Sequence, residues 1–296
     1  TWSIVVPVHN KAAYTLACLA QLQAVLPAAS NAGEIIVVDD ASIDDTPGVV
    51  GRACAMDPRI RALRNTENQG FLASCNRGAS AASGDIVVFL NNDTLPQPGW
   101  LRALLMLFRA YPDAGAVGSK LIYPDLTLQE AGGVIFSDGS GCNFGRGDAE
   151  IDAPLYNYVR EVDYCSGASL ATRRDLFTLL GGFDTRFAPA YYEDVDYCFQ
   201  MRSRGYRVYY QPESVVIHCE GVSSGTDITR GVKSYQVVNQ RKFVEKWRDA
   251  LREQPSPPDE YSAVTWHALA VRGEGLERDA NSHEARPGVR AARAGV

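Results

Sequence analysis

The stretch GDIVVFLNNDT, residues 84–94, drives an apolar run from Ile86 to Leu90 straight into two carboxamides and a carboxylate. Burying Asn91, Asn92 and Asp93 beside that strand without partners would cost about 2 kcal/mol or more per group. They fit instead at the strand's carboxyl end, where an open α/β sheet forms its ligand crevice. Taken alone, N-N-D-T is also turn chemistry, because Asn and Asp cap their own backbone. The flanking sequence has to decide between the two.

Upstream, SIVVPV (3–8), EIIVVDD (34–40) and RIRAL (59–63) read as strands, and helical patterns cover 12–25, 44–55 and 71–82, the last stopped by Gly84. Another helix is expected over 98–111. Short apolar strands alternating with helices predict a doubly wound, Rossmann-like, mostly parallel central sheet. In such a sheet His9-Asn10, Asp39-Asp40 and Asn91-Asn92-Asp93 end three strands at one edge. Carboxylates gathered there repel one another unless a cation or a donor-rich ligand sits among them. A Mg²⁺ or Mn²⁺ ion uses one or two carboxylates and completes its shell with substrate phosphates.

Beyond residue 115 the pattern changes. AVGSKLIYP (116–124) and GGVIFSDGSG (132–141) read as antiparallel strands with Gly-rich turns, a small second sheet beside the main one. VDYCSGASLATRR (162–174) reads as a strand entering a short helix over 175–180. EDVDYCFQMRSRG (193–205) is a helix stopped by its glycine, and YRVYYQP and SVVIHCEG supply late strands. Ser234 to Leu251 carries Val237, Val238, Phe243, Val244, Trp247 and Leu251 as one apolar helical face. GCNFGRGD (141–148) has no helical pattern after it, so it reads as a hairpin turn rather than a phosphate loop. QPSPP (254–258) breaks regular structure and the following tail is polar and Gly/Ala/Arg-rich. The expected division is therefore a domain over 1–252, then a Pro-containing linker and tail over 253–296 leading to a further domain. A chain that opens on Thr1, directly at its first strand, reads as a segment of a longer polypeptide.

With 296 residues, 46% hydrophobic and 22% charged, the chain can bury a large core. A net charge of −6 provides no basic stripe and argues against a nucleic-acid partner. No apolar run approaches the ~18–20 residues that span a bilayer, and no signal-peptide pattern is present. Seven scattered cysteines without a C-x-x-C pair argue against a disulfide framework or zinc knuckle and fit a reducing cytosol.

SIVVPVHN, IIVVDDASIDDT, NTENQGF with NRG, VVFLNNDT, GGFDTRF, YYEDVDYCFQMRSRGY and VVIHCEGVSSG follow one another over residues 2 to about 247. In this order they resemble the family-2 inverting glycosyltransferases, whose nucleotide-sugar-binding fold is called GT-A. The resemblance implies transfer of a sugar from a UDP- or dTDP-linked donor to a hydroxyl of a glycan or lipid-linked oligosaccharide. It also implies single displacement, a divalent cation (Mn²⁺ or Mg²⁺) and a carboxylate general base. Pro7, His9, Asn10, Asp39, Asp40, Asn68, Gly70 and Asn92 would then hold the nucleotide. Asp93 would ligate the cation, with Asn91 and His218 assisting; the family's usual motif is Asp-x-Asp, and the first carboxylate is here a carboxamide. Asp194 would be the base, with Glu193 the second choice, since a carboxylate is favoured at a helix amino terminus. Ser166, Gly167 and Ala168 would line the sugar, and Lys233 and Arg241 would neutralise the diphosphate.

The style of the motifs resembles bacterial rhamnosyltransferase-like enzymes of surface polysaccharide synthesis, cytoplasmic or peripheral at the inner face of the membrane. The Asn91 substitution keeps open a second expectation, a catalytically weak or dead nucleotide-sugar or glycan-binding domain on the same fold. A dinucleotide-dependent oxidoreductase would need G-x-G-x-x-G after the first strand, where PVHNKAAY stands. A nucleotidyltransferase would want a Gly-rich basic loop at that place.

Overall fold

The computed structural model describes residues 1–26, 33–221 and 231–259. In chain order its elements are β1 (Trp2–Val8), α1 (Ala12–Val25), β2 (Gly33–Asp39), α2 (Thr46–Met56), β3 (Ile60–Arg64), α3 (Phe71–Ala81), β4 (Ile86–Leu90), β5 (Thr94–Pro96) and α4 (Trp100–Ala110). There follow β6 (Ala114–Ile122), β7 (Leu128–Glu130), β8 (Gly133–Ile135), β9 (Gly141–Asn143), β10 (Arg160–Glu161), β11 (Ser169–Arg173) and α5 (Arg174–Leu179). The last are α6 (Glu193–Ser203), β12 (Arg207–His218), α7 (Tyr235–Lys246) and α8 (Arg248–Leu251).

The main sheet runs in the order β10-β12-β6-β11-β4-β1-β2-β3, with β5 added to β12 and β7 to β6. β3, β2, β1 and β4 are mutually parallel; β11 is antiparallel to both β4 and β6, and β12 is parallel to β6. β1, β2, β3, β4, β6 and β12 therefore all point one way. β8 and β9 form a separate two-stranded antiparallel sheet. This is the expected α/β architecture of a GT-A fold.

Alternation along each strand fills both faces of the sheet. Ile4, Val6, Val8, Ile35, Val37, Val88 and Leu90 enter one apolar cluster, where α1 and α4 pack. Val5, Ile36, Val38, Val87 and Phe89 enter the other, under α3 and α6. Continuous apolar strands are what two covered faces require. α4 presents Trp100, Leu101, Leu104, Leu107 and Phe108 to the core at helical spacing. Gly78 lets α3 approach the sheet, since a Cβ there would lie 2.3 Å from Val5 Cγ1.

Four expectations are corrected. β6 was expected to be purely antiparallel, but it pairs in parallel with β12 because β11 is inserted between β4 and β6. The two late strands are one, β12, with an irregularity between Gln211 and Val215. The long C-terminal helix is broken at Trp247. Its supposed apolar face is only partly buried, because Phe243 and Leu251 are enclosed whereas Val237 and Val238 stay 40% and 48% exposed. Past residue 252 the chain is irregular, and Ser137 N–H donates to the Pro255 carbonyl. Most of the expected tail, 260–296, and the end of the VVIHCEGVSSG motif lie outside the described residues. No helix among the described residues is long and apolar enough to cross a membrane.

Candidate active site

Parallel strands bring their carboxyl ends to one edge, and there the chain opens a cleft of about 420 Å³. Asp40 after β2, Asp93 after β4 and Asp194 on α6 all line it. Pro7, His9, Asn68, Gly70, Asn91, Asn92, Ser166, Gly167, Ala168, Glu193, His218 and Lys233 join them. Residues more than 200 positions apart in sequence thus share one concavity.

Two strand registers assemble its inner wall. β5 turns back from Asp93 and pairs with β12, setting Thr94 opposite His218, while Cys219 N–H bonds to the Asp93 carbonyl. His218 is thereby pinned beside Asp93, with Nε2 3.3 Å from Asp93 Oδ1. β11 runs antiparallel to β4, and Asn91 N–H reaches the Ala168 carbonyl, which draws Ser166–Ala168 alongside. Asn92 instead donates to Thr15 Oγ1 on α1.

Among the described residues no three His, Cys, Asp or Glu side chains are grouped to hold a metal. The donor set nevertheless fits a hard cation that takes much of its shell from phosphate. Asn91 Oδ1 and Asp93 Oδ1 are buried oxygens with no hydrogen-bond partner, and Asp93 Oδ1 faces the His218 imidazole at 3.3 Å. Buried acceptors left open in this way call for a donor or a cation.

On the opposite wall, α6 begins with Glu193 and Asp194 directly after Tyr191 and Tyr192, both in the left-handed region at φ 73° and 71°. Such residues each cost about 1–3 kcal/mol and persist only where surroundings hold them. Asn239 of α7 does so, its amide donating to the carbonyls of Phe187, Ala190 and Tyr191 at 2.7–2.9 Å. Asp194 accepts from the N–H groups of Gly167 and Val195, both at 2.8 Å. Burial raises its carboxyl pKa despite those two donors. Glu193 is lifted further, by burial and then by the charge of Asp194, and its Oε2 has no partner. Asp196, the third acid of the helix, is structural, bound by Lys246, Trp247 Nε1 and Gln200.

Asp40 reaches the cleft, but its oxygens accept the Gln69 and Gly70 N–H groups and the Asn65 amide. It therefore shapes the 65–70 loop. Gly70 closes against Pro189, where a Cβ would meet the proline at 2.7 Å. His9 bridges, Nδ1 to the Asp40 carbonyl and Nε2 to the amide of Asn68.

Three expected site residues are not brought in. Asp39 is buried away from the cleft, bonded to Ser42 N–H and paired with Arg64, because alternation turns it opposite to Asp40. Asn10 spends its oxygen on Ile43 N–H. Arg241 lies on the exposed side of α7, one helical face away from the buried Asn239. Lys233 does reach the cleft, 3.9 Å from Glu220 and over the Tyr191 ring.

A second cavity of about 440 Å³ adjoins the first and shares Ser166, Tyr191, Asp194, Glu220 and Lys233 with it. Tyr164, Tyr192, Asn143 and Arg146 line its far side. Sequence reading missed Glu220, Glu130 and Gln129. Glu130 is buried, accepts from Ser166 N–H and is pushed up to about 8, chiefly by burial. Glu220 could have been found as a third polar residue closing β12 after His218; β7, only three residues long, carries no such signal.

Residues 3–149 match the model of the family described as Glycosyl transferase family 2. The O-antigen biosynthesis protein RfbC of Myxococcus xanthus is 34% identical over 177 residues, 58% of this chain and 14% of that protein. The N-acetylglucosaminyl-diphospho-decaprenol L-rhamnosyltransferase of Mycobacterium tuberculosis is 29% identical over 214 residues, 65% of this chain and 68% of that one. The crystal structure of GalNAc-T7 with UDP, GalNAc and Mn²⁺ superposes with a TM-score of 0.69 at 17% identity, covering 96% of this chain and 58% of that one. The chain spans only 22% and 14% of the length of two curated relatives it matches.

Proposed function

Because this chain belongs to glycosyl transferase family 2, we propose that it transfers a hexosyl group from a UDP- or dTDP-sugar to a hydroxyl of a glycan or lipid-linked acceptor. The observation that carries this reading is the shared position of Asp194. It lines both adjoining cavities, one ending at Asp93 and His218 and the other walled by tyrosines. A donor in the first and an acceptor in the second would meet at its carboxylate.

The 65–70 loop, shaped by Asp40 and joined to His9, would hold the base and ribose. Asp93, His218 and the Asn91 carbonyl oxygen would hold a divalent cation, which supplies electrophilic stabilisation of the charge growing on the leaving diphosphate. Lys233 would add a cationic contact to the same phosphates. Asp194 Oδ, oriented by two backbone N–H groups, would accept the acceptor hydroxyl's proton as that oxygen attacks the anomeric carbon. A single displacement of this kind inverts the anomeric configuration. Similarity to an O-antigen biosynthesis protein and to a rhamnosyltransferase supports a surface-polysaccharide acceptor and a deoxyhexose or hexose donor.

The test is nucleotide release from a panel of UDP- and dTDP-sugars by the purified chain, with Mn²⁺ or Mg²⁺ and with EDTA. Cation-dependent release from one donor, increased by acceptor, is expected. Tight binding without release would favour the alternative suggested by Asn91, a binding domain, and absence of both would remove the reading.

A further inference from the structure

His218 stands between two partners whose chemistry fixes its proton. On one side Nδ1 is 3.1 Å from Gln129 Oε1, and on the other Nε2 is 3.3 Å from Asp93 Oδ1. Gln129 in turn donates through Nε2 to Glu220 Oε2 at 3.2 Å. The same Glu220 oxygen accepts the Tyr123 hydroxyl at 2.8 Å and the Arg146 guanidinium at 2.6 Å. A carboxylate among three donors can only accept, so the amide of Gln129 must turn its nitrogen to Glu220 and its oxygen to His218. A carbonyl oxygen facing Nδ1 requires a proton there. In a neutral ring the lone pair then lies on Nε2, aimed at a carboxylate oxygen that itself has no donor. In that tautomer Nε2 and Asp93 Oδ1, 3.3 Å apart, are both acceptors and can share a cation placed against both.

We propose that Gln129 is a positioning residue, held by Glu220, Tyr123 and Arg146, that locks His218 in its Nδ1–H tautomer and so presents the Nε2 lone pair beside Asp93 for a divalent cation. β7 exists in this fold as three residues at an edge of the sheet, and Gln129 is buried within it. Outer partners of this kind typically change metal affinity by about 10–100-fold when removed. The tautomer claim stands on the hydrogen-bond network alone; only the affinity claim rests on the cation site proposed above.

The experiment is ¹⁵N NMR of the chain labelled at its four histidines, after EDTA treatment and across a pH series, with the His218 signals identified by their loss in His218→Gln. With the spectra recorded at a pH alkaline enough for the ring to be neutral, its proton is expected on Nδ1. A neutral ring carrying its proton on Nε2 instead would overturn the proposal. In Gln129→Leu, and in Gln129→Met should the first fold poorly, the His218 signals should move to mixed tautomers. Mn²⁺ affinity measured by calorimetry with UDP or dTDP present should fall about 10–100-fold. Unchanged tautomer and unchanged affinity in a folded variant would remove Gln129 from the role. Should wild-type protein show the expected tautomer yet bind no Mn²⁺, the cation reading of the site fails while the lock on His218 stands.

Discussion

Replacing Glu130 by glutamine probes the electrostatics behind the cleft without altering a group that would touch substrate. One Glu130 oxygen accepts the Ser166 N–H at 2.9 Å and the other has no partner. Burial is the main cause that lifts the carboxyl from 4.5 to about 8; the Ser166 N–H opposes it and the charge of Asp194 adds to it. The unfolded chain releases this proton near 4.5, whereas the folded chain keeps it until about 8. Between those values the folded state binds the additional proton, so stability decreases as pH rises through the window. At about 1.4 kcal/mol per pH unit, the interval from 4.5 to 7 amounts to at most ~3 kcal/mol. Glutamine matches the protonated side chain in shape and has no proton to lose. The variant should melt nearly with the wild type at about pH 4.5 and roughly 5–10 °C above it at pH 7, a domain of this size gaining about 2–4 °C per kcal/mol. Calorimetric melts at several pH values read the difference directly. Glu193 and Asp194 bend both curves alike, so a wild-type-to-variant difference that does not change with pH would refute the buried-proton argument.

Asp194→Asn should leave nucleoside-diphosphate binding nearly intact and lower transfer by at least ~100-fold; wild-type-like turnover would remove Asp194 from the chemistry. In the wild type, kcat/KM should rise with pH along an acid limb placed above the ordinary aspartate range, because burial raises this carboxyl and only its ionised form accepts a proton. Asp93→Ala should abolish the cation-dependent part of UDP or dTDP affinity, and calorimetry showing that part retained would count against the cation assignment. Asn239→Leu removes the amide whose two N–H groups are shared among three carbonyls of the strained turn before α6, so urea unfolding should report a loss of about 2 kcal/mol or more. An unchanged midpoint would mean that the turn holds itself.

The first half of the fold was legible as pattern. Apolar runs ending in His9-Asn10, Asp39-Asp40 and Asn91-Asn92-Asp93, spaced by helical segments, already imply parallel strands and hence one edge for all three polar ends. Helix α1 falls on the expected residues, 12–25, an Ala-, Leu- and Gln-rich run free of Pro and Gly. The motif order was enough to name a family, and the fold gathers Asp93, His218 and Asp194 around one cleft.

What local pattern could not decide was which of two adjacent carboxylates faces the ligand space. Asp39 and Asp40 look alike in sequence, yet pleating turns one to Arg64 and the other to the Gln69–Gly70 loop. The pairing of β5 with β12, which sets His218 against Asp93 across 125 residues, depends on register between distant segments and has no local signature. The same holds for Gln129 on its three-residue strand and for Asn239 beneath the strained turn, whose roles lie wholly in partners far along the chain. Periodicity is a property of neighbours and survives in the sequence. A hydrogen bond between side chains a hundred positions apart is a property of the closed sheet, and only the packed chain contains it.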